Sequence, residues 1–555
     1  MTTGSHEITA RLTEGLRLAL EAAGLPSLAD VAWEVPREAS HGDYATNAAM
    51  ALARTARKSP RQVAELIVRH LPAMSEVSAV EIAGPGFINL RLADEWCQRA
   101  VREILAAGDR YGHADVGRGE RVRLEFVSAN PTGPLVIVNA RAAAVGDSLA
   151  RILRALGHDV TTEYYVNDAG NQFEALARSL EVRVRQELGQ AAALPENSYP
   201  GEYLVDLARE YIAAHGTGAL DLPEEERLER FGSYAVARIV EGQRAVLAAY
   251  GVSFDTWTSE SRDVRQKQLP EQVLRELEAR GLTYEADGAL WFRASAFGDE
   301  KDRVLRKSDE GLTYFAVDVA YHHYRKFDGT ARVINLLGPD HHGYVERMRA
   351  AMQALGHPPS AFDVLIIQLV TLLRDGQPVR MSKRRGEFVL MEELLEEVGR
   401  DAARFTFLTR RHDGPLEFDL AVATRQSADN PVYYVQYAHA RIASIFRQAQ
   451  AQGIAAPAWD EIDMSPLTAP EELSLVKRLL QFPATVRGAA RALEPHRVAY
   501  ALTELAGAFH PYYRGHRVIG DDAGLTLARL ALCAAVGQVL RNGLALLGVG
   551  APETM

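Results

Sequence analysis

EFVSANPTGPLVIVNARAAAVGDSLARIL, residues 125–153, is the stretch on which the fold turns. With the residues just before it, VRLEFV (122–127) is a short, mostly apolar run of strand type. Asn-Pro-Thr-Gly-Pro (130–134) then turns the chain. Beyond the turn Val138, Ala142, Val145, Leu149, Ile152 and Leu156 recur at helical spacing, and Gly157 suits a helix C-cap. TTEYYVN (161–167) reads as the next strand. Strand, helix and strand at these lengths make a βαβ unit, and such units build parallel sheets. Ligands of open parallel sheets sit beyond the carboxyl ends of the strands, where a helix N-terminus offers free N–H groups to phosphate. The turn, shaped by Gly133 and its flanking prolines, therefore has the layout of a nucleotide site. Glu125 stands beside it, placed to meet a cationic ligand.

Outward from this unit the chain falls into blocks. At 555 residues it is long enough for three or four domains with full-sized cores. Residues 1–115 read as a small α/β module: helices over 8–23 and 60–70, and strand positions at Phe87, Ile88 and Leu90. After the βαβ unit, residues 171–285 read as a largely helical insertion. Strand patterns return in ALWFR (289–293), TYFAV (313–317) and RVINLLG (332–338), so the sheet is expected to be split around the insertion. From about residue 401 the pattern is almost all helical. The apolar run 525–549 is interrupted by Arg529, Arg541 and Asn542 and reads as buried helix, not a membrane span.

Composition limits the function classes. Hydrophobic content of 47% and charged content of 24% describe an ordinary globular chain. A net charge of −11 does not advertise a nucleic-acid binder, so any such role needs a local basic stripe. Two cysteines, Cys97 and Cys533, make no disulfide framework or zinc knuckle and suit a reducing compartment. MTTGSHEITA at the start lacks the apolar core of a signal peptide. A cytoplasmic, monomeric protein without a membrane partner is the expectation.

Three further clusters carry chemistry. RMSKRRGEF (380–388) gathers Lys383, Arg384 and Arg385 before Gly386, a set of cations fit to neutralise a triphosphate and its leaving pyrophosphate. GPDHHG (338–343) follows an apolar strand and puts Asp340, His341 and His342 at a strand end. Adjacent histidines diverge and no helix-spaced partner accompanies them, so a metal site is not expected, and His322 and His323 read as ordinary helix residues. In TYFAVD, Tyr314 and Asp318 are four apart and share a face if helical, a receptor for a guanidinium or ammonium group.

Taken in order, these motifs resemble the arginyl-tRNA synthetases, a family of class I aminoacyl-tRNA synthetases. HGDYATN (41–47), GPGFINLRL (84–92), EFVSANPTGPL (125–135), GDSLARIL (146–153), EYYVNDAGNQ (163–172), TYFAVDVAYH (313–322), GPDHHGY (338–344), MSKRRGEFV (381–389), NPVYYVQYAHARI (430–442) and GVGAPETM (548–555) carry the resemblance across the chain. It implies an α/β fold: a Rossmann-type catalytic domain over 116–410, an N-terminal domain over 1–115 that touches the tRNA elbow, and an α-helical anticodon-binding domain over 411–555. It implies that arginine and ATP give arginyl-adenylate, and that tRNA(Arg) receives the arginyl group, with Mg2+ accompanying ATP. Carried onto this chain, Asn130 would hold the amino acid's polar end. Glu125 and Asp318 would meet its cationic groups with Tyr314 beside them, and Tyr164 and Asp340 would add contacts. Pro131, Thr132, Gly133, His341, Met381 and Ser382 would line ATP, with Lys383, Arg384 and Asn139 acting on its phosphates. Tyr434, Gln436, Tyr437 and Arg441 would contact tRNA.

One motif departs. Where the family usually carries His-X-Gly-His, this chain has Val136, Ile137, Val138 and Asn139. Val136 offers no side-chain donor, Val138 adds bulk where adenine would approach, and Asn139 keeps a neutral amide donor. Losing one preorganised donor costs about 3–4 kcal/mol of transition-state stabilisation. Two readings follow: an active ligase in which helix N–H groups, Asn139, the GPDHHG histidines, Lys383 and Arg384 take over, or a retired paralogue that binds tRNA or arginine without activating it. A third class, another adenylate-former acting on a small amine-bearing acid, fits the Tyr314/Asp318 pair and the helical C-terminal block less well.

Overall fold

Strand β1 (Arg121–Glu125) runs into helix α1 (Ile137–Ala155), and strand β2 (Asp159–Val166) returns beside β1. This is seen in a computed structural model, which describes residues 8–28, 31, 33–36, 38–379, 389–454 and 458–555. Leu124, Leu149 and Ile152 are fully buried between helix and sheet, each contributing about 1.5–3 kcal/mol. The helix lies close because its inner face is small: Ala140, Ala143, Ala144 and Gly146 are buried, and a Cβ at Gly146 would strike the Phe126 ring. Gly157, at φ 84°, takes the left-handed turn after the helix that its sequence position suggested.

Three more parallel strands complete the sheet. These are β3 (Thr256–Ser259), β4 (Arg332–Leu337) and β5 (Phe362–Ile366), with helix α2 (Tyr314–Tyr321) ahead of β4 and α3 (His342–Ala354) after it. The spatial order is β5-β4-β1-β2-β3, so the direction of winding reverses between β1 and β4. This is an α/β fold of Rossmann type.

Two readings of local pattern are corrected and two are sharpened. The region 171–285 is largely helical but also contains β3, made a strand by pairing Glu163 with Thr256 through Val166 with Ser259. TYFAV is not a strand: the Thr313 hydroxyl accepts the Ala316 N–H at 3.3 Å and starts α2. ALWFR is a strand, but in a separate antiparallel sheet of Thr283–Ala286, Ala289–Phe292 and Arg303–Arg306. Beyond residue 401 the chain still supplies a strand, Leu416–Asp419, parallel to Val370–Arg374. In each case tertiary pairing or a cap overrides local preference.

The N-terminal module holds a three-stranded antiparallel sheet of Tyr44–Thr46, Phe87–Leu92 and Val77–Ala83 under helices Ile8–Ala22, Ala48–Ala56 and Pro60–His70. Ser59 and Gln62 form a capping box at the last of these. The C-terminal region packs Pro431–Ala451, Pro470–Ala492, His496–Gly515 and Ala523–Leu546 together. The last of these is long and apolar enough to cross a membrane, yet Leu530, Leu532, Val536 and Leu540 are buried in the bundle. Fully buried Arg404 ties this region to α1: its Nε donates to Leu547 O at 3.0 Å and its Nη2 pairs with Asp147.

Candidate functional site

The crevice lies where the winding reverses, beyond the carboxyl ends of β1 and β4. The chain leaves β1 under strain: Val127 and Ser128 adopt φ 69° and 36°, and the Ser128 N–H bonds back to Phe126 O at 3.0 Å. A β-branched residue at positive φ persists only where surroundings fix it. Here Tyr165 N–H donates to the Ser128 hydroxyl at 3.0 Å. Gln243 Nε2 donates to Gly133 O at 2.9 Å and Asn130 O at 3.3 Å, and the Tyr203 hydroxyl donates to Thr132 O. The Pro131–Gly133 turn is thus pinned from the insertion, with Asn130 exposed.

Tyr164 belongs to this scaffold and not to a substrate surface. It is fully buried, stacked on Trp257 at 4.1 Å, with its hydroxyl donating to Gln243 Oε1 at 2.8 Å and accepting the Ala129 N–H at 3.1 Å. The arginine contact expected of it is corrected on that ground, since no face is left for a ligand. Its neighbour Tyr165, on the opposite side of the strand, donates to Glu260 Oε2 at 2.9 Å and packs on Tyr321 at 4.4 Å.

On the Tyr165 side the structure gathers an acidic slot. Glu125, on β1, faces Asn335 in register on β4. Its carboxylate pairs with Lys326 Nζ, which also donates to Asn335 Oδ1 at 2.7 Å and His322 Nε2 at 3.0 Å. Asp318, half-buried on α2, takes a hydrogen bond from Tyr344. Burial raises its carboxyl to about 7; Glu125 and Glu260 add to the rise, while Lys326 and Tyr344 oppose it. Burial also pushes Tyr165 and Tyr344 well above the ordinary phenol range. Tyr314, one turn before Asp318, is 56% exposed at the mouth of an adjoining cavity of about 530 Å3, which Arg265, Arg303, Lys307 and Arg347 also line. Asp340 and His341 are exposed on the turn after β4, with the His341 ring edge-on to Tyr344 at 6.1 Å.

His322 and His323 are not ordinary helix residues. They open a π-helical turn, His322–Lys326. The wider turn brings Lys326 beneath the slot. His323 meets His357 at 2.9 Å and Glu276 at 3.2 Å.

The altered turn has a structural occupation. Val136 makes an antiparallel bridge with Leu390, Ile137 N–H donates to Val389 O at 3.1 Å, and Met391 N–H donates to Leu135 O at 2.9 Å. A β-branched residue suits that extended bridge. Asn139 Oδ1 accepts the Val136 N–H at 2.9 Å, which leaves the amide nitrogen as the side chain's donor. Two of the N–H groups expected to cradle phosphate at the start of α1 are therefore engaged within the protein. Met381, Ser382, Lys383 and Arg384 lie outside the described residues.

In the C-terminal region, exposed Tyr437 and half-buried Arg441 form one edge. Arg441 donates to the Tyr437 hydroxyl at 2.9 Å and lies over its ring at 4.5 Å, while Tyr434 packs on His510 at 4.6 Å. Gln436 points the other way. It is buried, with Nε2 donating to Asp401 Oδ2 and Gly550 O, both at 2.9 Å. Its expected tRNA contact is corrected: the residue anchors the C-terminal segment instead.

Several site residues escaped the sequence reading. Tyr165 was one strand position away from Tyr164, and Asn335 was a lone polar residue in RVINLLG. Lys326, Glu260 and Tyr344 carried no local signal, because only folding brings them to Asp318.

A parallel sheet wound in this order, with a ligand crevice at its reversal, matches over residues 100–413 the model described as tRNA synthetases class I (R), catalytic domain, and defines a class I aminoacyl-tRNA synthetase. Residues 10–92 match the arginyl tRNA synthetase N terminal domain, and residues 435–555 the DALR anticodon binding domain. The chain belongs to the arginyl-tRNA synthetase family. It is 50% identical to an arginine–tRNA ligase of Syntrophotalea carbinolica over 530 residues, 95% of this chain and 96% of that one. It is 47% identical to the ligase of Symbiobacterium thermophilum over 551 residues, 99% of this chain and 98% of the relative. The solved arginyl-tRNA synthetase of Thermus thermophilus superposes with a TM-score of 0.80 at 25% identity, over 99% of this chain and 100% of that chain.

Proposed function

We propose that this protein is an arginine–tRNA ligase. It joins L-arginine to ATP, giving arginyl-adenylate and pyrophosphate, and then passes the arginyl group to the 3′ end of tRNA(Arg). The observation that carries the reading is Asp318, a half-buried carboxylate beside the sheet's reversal point with Tyr165, Tyr344 and Tyr314 around it. A guanidinium is planar, cationic and rich in donors, which suits a carboxylate set among aromatic rings. Asn130, exposed on the pinned turn, holds the amino acid's polar end, and Asp340 borders the same crevice.

On the phosphate side, Pro131, Thr132, Gly133 and His341 border ATP, Asn139 donates from its amide nitrogen, and Lys383 and Arg384 supply charge with Met381 and Ser382 beside them. Among the described residues no cluster of three or more His, Cys, Asp or Glu side chains converges as for a metal ion. Mg2+, which prefers phosphate oxygens and water, would arrive on the nucleotide and neutralise its charge. Tyr434, Tyr437 and Arg441 meet tRNA, with residues 1–115 at its elbow, 116–410 performing the chemistry and 411–555 at the anticodon. Two buried, free cysteines suit a cytoplasmic setting, and the reading is of a monomer.

Near-full-length likeness to arginine–tRNA ligases supports the active reading over a retired paralogue. Purified protein should charge tRNA with arginine and exchange pyrophosphate into ATP only when both tRNA and arginine are present. Absence of exchange at every ATP concentration, with tRNA and arginine still bound, would favour the paralogue.

A further inference from the structure

The closing run GVGAPETM, residues 548–555, has no part in the chemistry above, yet its backbone is tied down. Helix Ala523–Leu546 stops in a left-handed turn: Gly548 takes φ 66°, and the N–H groups of Gly548 and Val549 donate to Ala545 O at 3.0 Å and Leu544 O at 2.9 Å. A Cβ at Gly548 would also strike the Arg404 guanidinium, so only glycine lets the chain pass this close. From there the backbone is held on both sides. Leu547 O accepts Arg404 Nε at 3.0 Å and the Ser148 hydroxyl at 3.3 Å. Gly550 N–H donates to Asp401 Oδ2 at 3.0 Å, and Gly550 O accepts Gln436 Nε2 at 2.9 Å. Pro552 O lies 2.9 Å from His439 Nδ1, so that nitrogen carries the proton, and Glu553 O accepts Arg447 Nη1 at 3.2 Å.

These partners belong to two different halves of the molecule. Ser148 and Asp147, the counter-ion of Arg404, lie on α1, about 15 Å along the helix from Ile137 and the altered stretch at its start. Gln436, His439 and Arg447 lie on helix Pro431–Ala451, which also carries Tyr437 and Arg441. Between the halves, Asp401 and Arg404 stand one turn apart on helix Arg400–Phe407 and grip the segment at Gly550 and Leu547. Val549, between the two grips, is buried. A segment bonded in this way cannot absorb a shift of the helix on one side without leaving buried polar groups unpartnered, which is unfavourable. The shift is therefore passed on to Asp147 and Ser148, and α1, a continuous helix, carries it to its first turn.

Resting on the arginine-ligase reading, we propose that residues 547–553 form a coupling strap, through which tRNA engaged on helix Pro431–Ala451 sets the position of α1 and of the turn at which ATP is activated. Asp401 and Arg404 are the positioning residues that hold the strap. It gives the dependence of activation on tRNA a physical route, because one bonded segment joins the helix that meets tRNA to the helix that begins at the phosphate side.

The test is a mutant cycle that cuts the strap at each end. Arg404→Lys keeps a cation beside Asp147 and gives up the bond to Leu547 O. Truncation after Ala551 removes the contacts with His439 and Arg447. Should either variant fail to fold, Ser148→Ala and His439→Phe remove one bond at the same two ends. The measurements are kcat for tRNA-dependent pyrophosphate exchange, Kd for tRNA by filter binding, arginine affinity by calorimetry, and Tm. Coupling between two sites is typically about 5–150-fold. Each variant should lower kcat by a factor in that range and leave tRNA and arginine affinity level, and the double variant should be no slower than the slower single one. Distant sites without a shared link act additively, so losses that multiply in the double variant overturn the proposal. So does a kcat that stays at the wild-type value, or one that falls only together with Tm and tRNA affinity, as a merely structural segment would give. Failure of the wild type to charge tRNA with arginine would sink the ligase reading alone. Hydrogen exchange at the Asn139 and Ala140 amides, with and without tRNA, still reads the strap: the change that tRNA makes there should be lost in the truncated chain.

Discussion

The two sides of the reversal point are built by opposite means. On the side proposed for the amino acid, side chains do the work: Glu125 pairs with Lys326, while Lys326, His322 and Asn335 interlock, and His322 reaches the Asp318 carbonyl, through bonds of 2.7–3.0 Å. On the side proposed for phosphate the backbone does it, through the Val136–Leu390 bridge and the Ile137 to Val389 bond, with Asn139 as the polar side chain there. A buried network of charges tolerates little change, because removing one member leaves its partners unsatisfied. A backbone contact accepts any side chain of suitable shape. By that difference the turn at 136–139 tolerates a change of side chain that the slot does not.

The comparison can be broken first at Asp318. Truncating one partner of a buried charge pair costs about 2–5 kcal/mol. Asp318→Asn should therefore lower kcat/KM for arginine at least about 30-fold and leave ATP binding intact. A loss shared equally by ATP and arginine would mean the slot is not separate from the phosphate side.

Asn139→Ala comes next. If its amide is the donor that replaces the missing imidazoles, kcat for tRNA-dependent exchange should fall about 10²–10³-fold. A kcat within about threefold of wild type would move that role to other groups. Restoring Val136→His and Val138→Gly should change the KM for ATP, while arginine affinity stays level.

The pH response is smaller and carries a definite sign. With Asp318 raised to about 7 in the free protein, protons compete with the guanidinium for the same carboxylate. Arginine affinity should be flat above neutrality and should fall as pH drops through 7, approaching about tenfold per unit well below it. Calorimetry across that range checks it, and an affinity that does not vary would remove Asp318 as the binding group.

Tyr437→Ala tests the smallest effect. Loss of one base-stacking ring costs about 1–3 kcal/mol. The Kd for tRNA should rise about 5–150-fold by filter binding with no change for arginine. Unchanged tRNA binding would show that the Tyr437–Arg441 edge faces solvent only.

The sequence was legible wherever a motif was local. The β1–turn–α1–β2 unit, the cap at Gly157 and the Tyr314/Asp318 spacing all lie within one or two elements, so spacing alone placed them, whereas the departure at residues 136–139 was legible only against the family resemblance. Strand β3 was not legible, since TWTS has no strong pattern and is a strand only because β2 supplies hydrogen bonds. TYFAV has strand-like residues and became helix because of one threonine cap. Tyr164 was named from its motif, and only the sheet assigned it to the core and its neighbour Tyr165 to the slot.

By itself, then, the sequence determined the βαβ beginning, the order of motifs and the chemical types available for a cation and a nucleotide. Tertiary structure alone decided that Glu125 is held by Lys326 and that the Ile137 N–H at the start of α1 is engaged by Val389. The reason is separation along the chain. Glu125 and Lys326 are about two hundred residues apart, and hydrogen bonding and burial act over a few ångströms that only the closed sheet brings within reach.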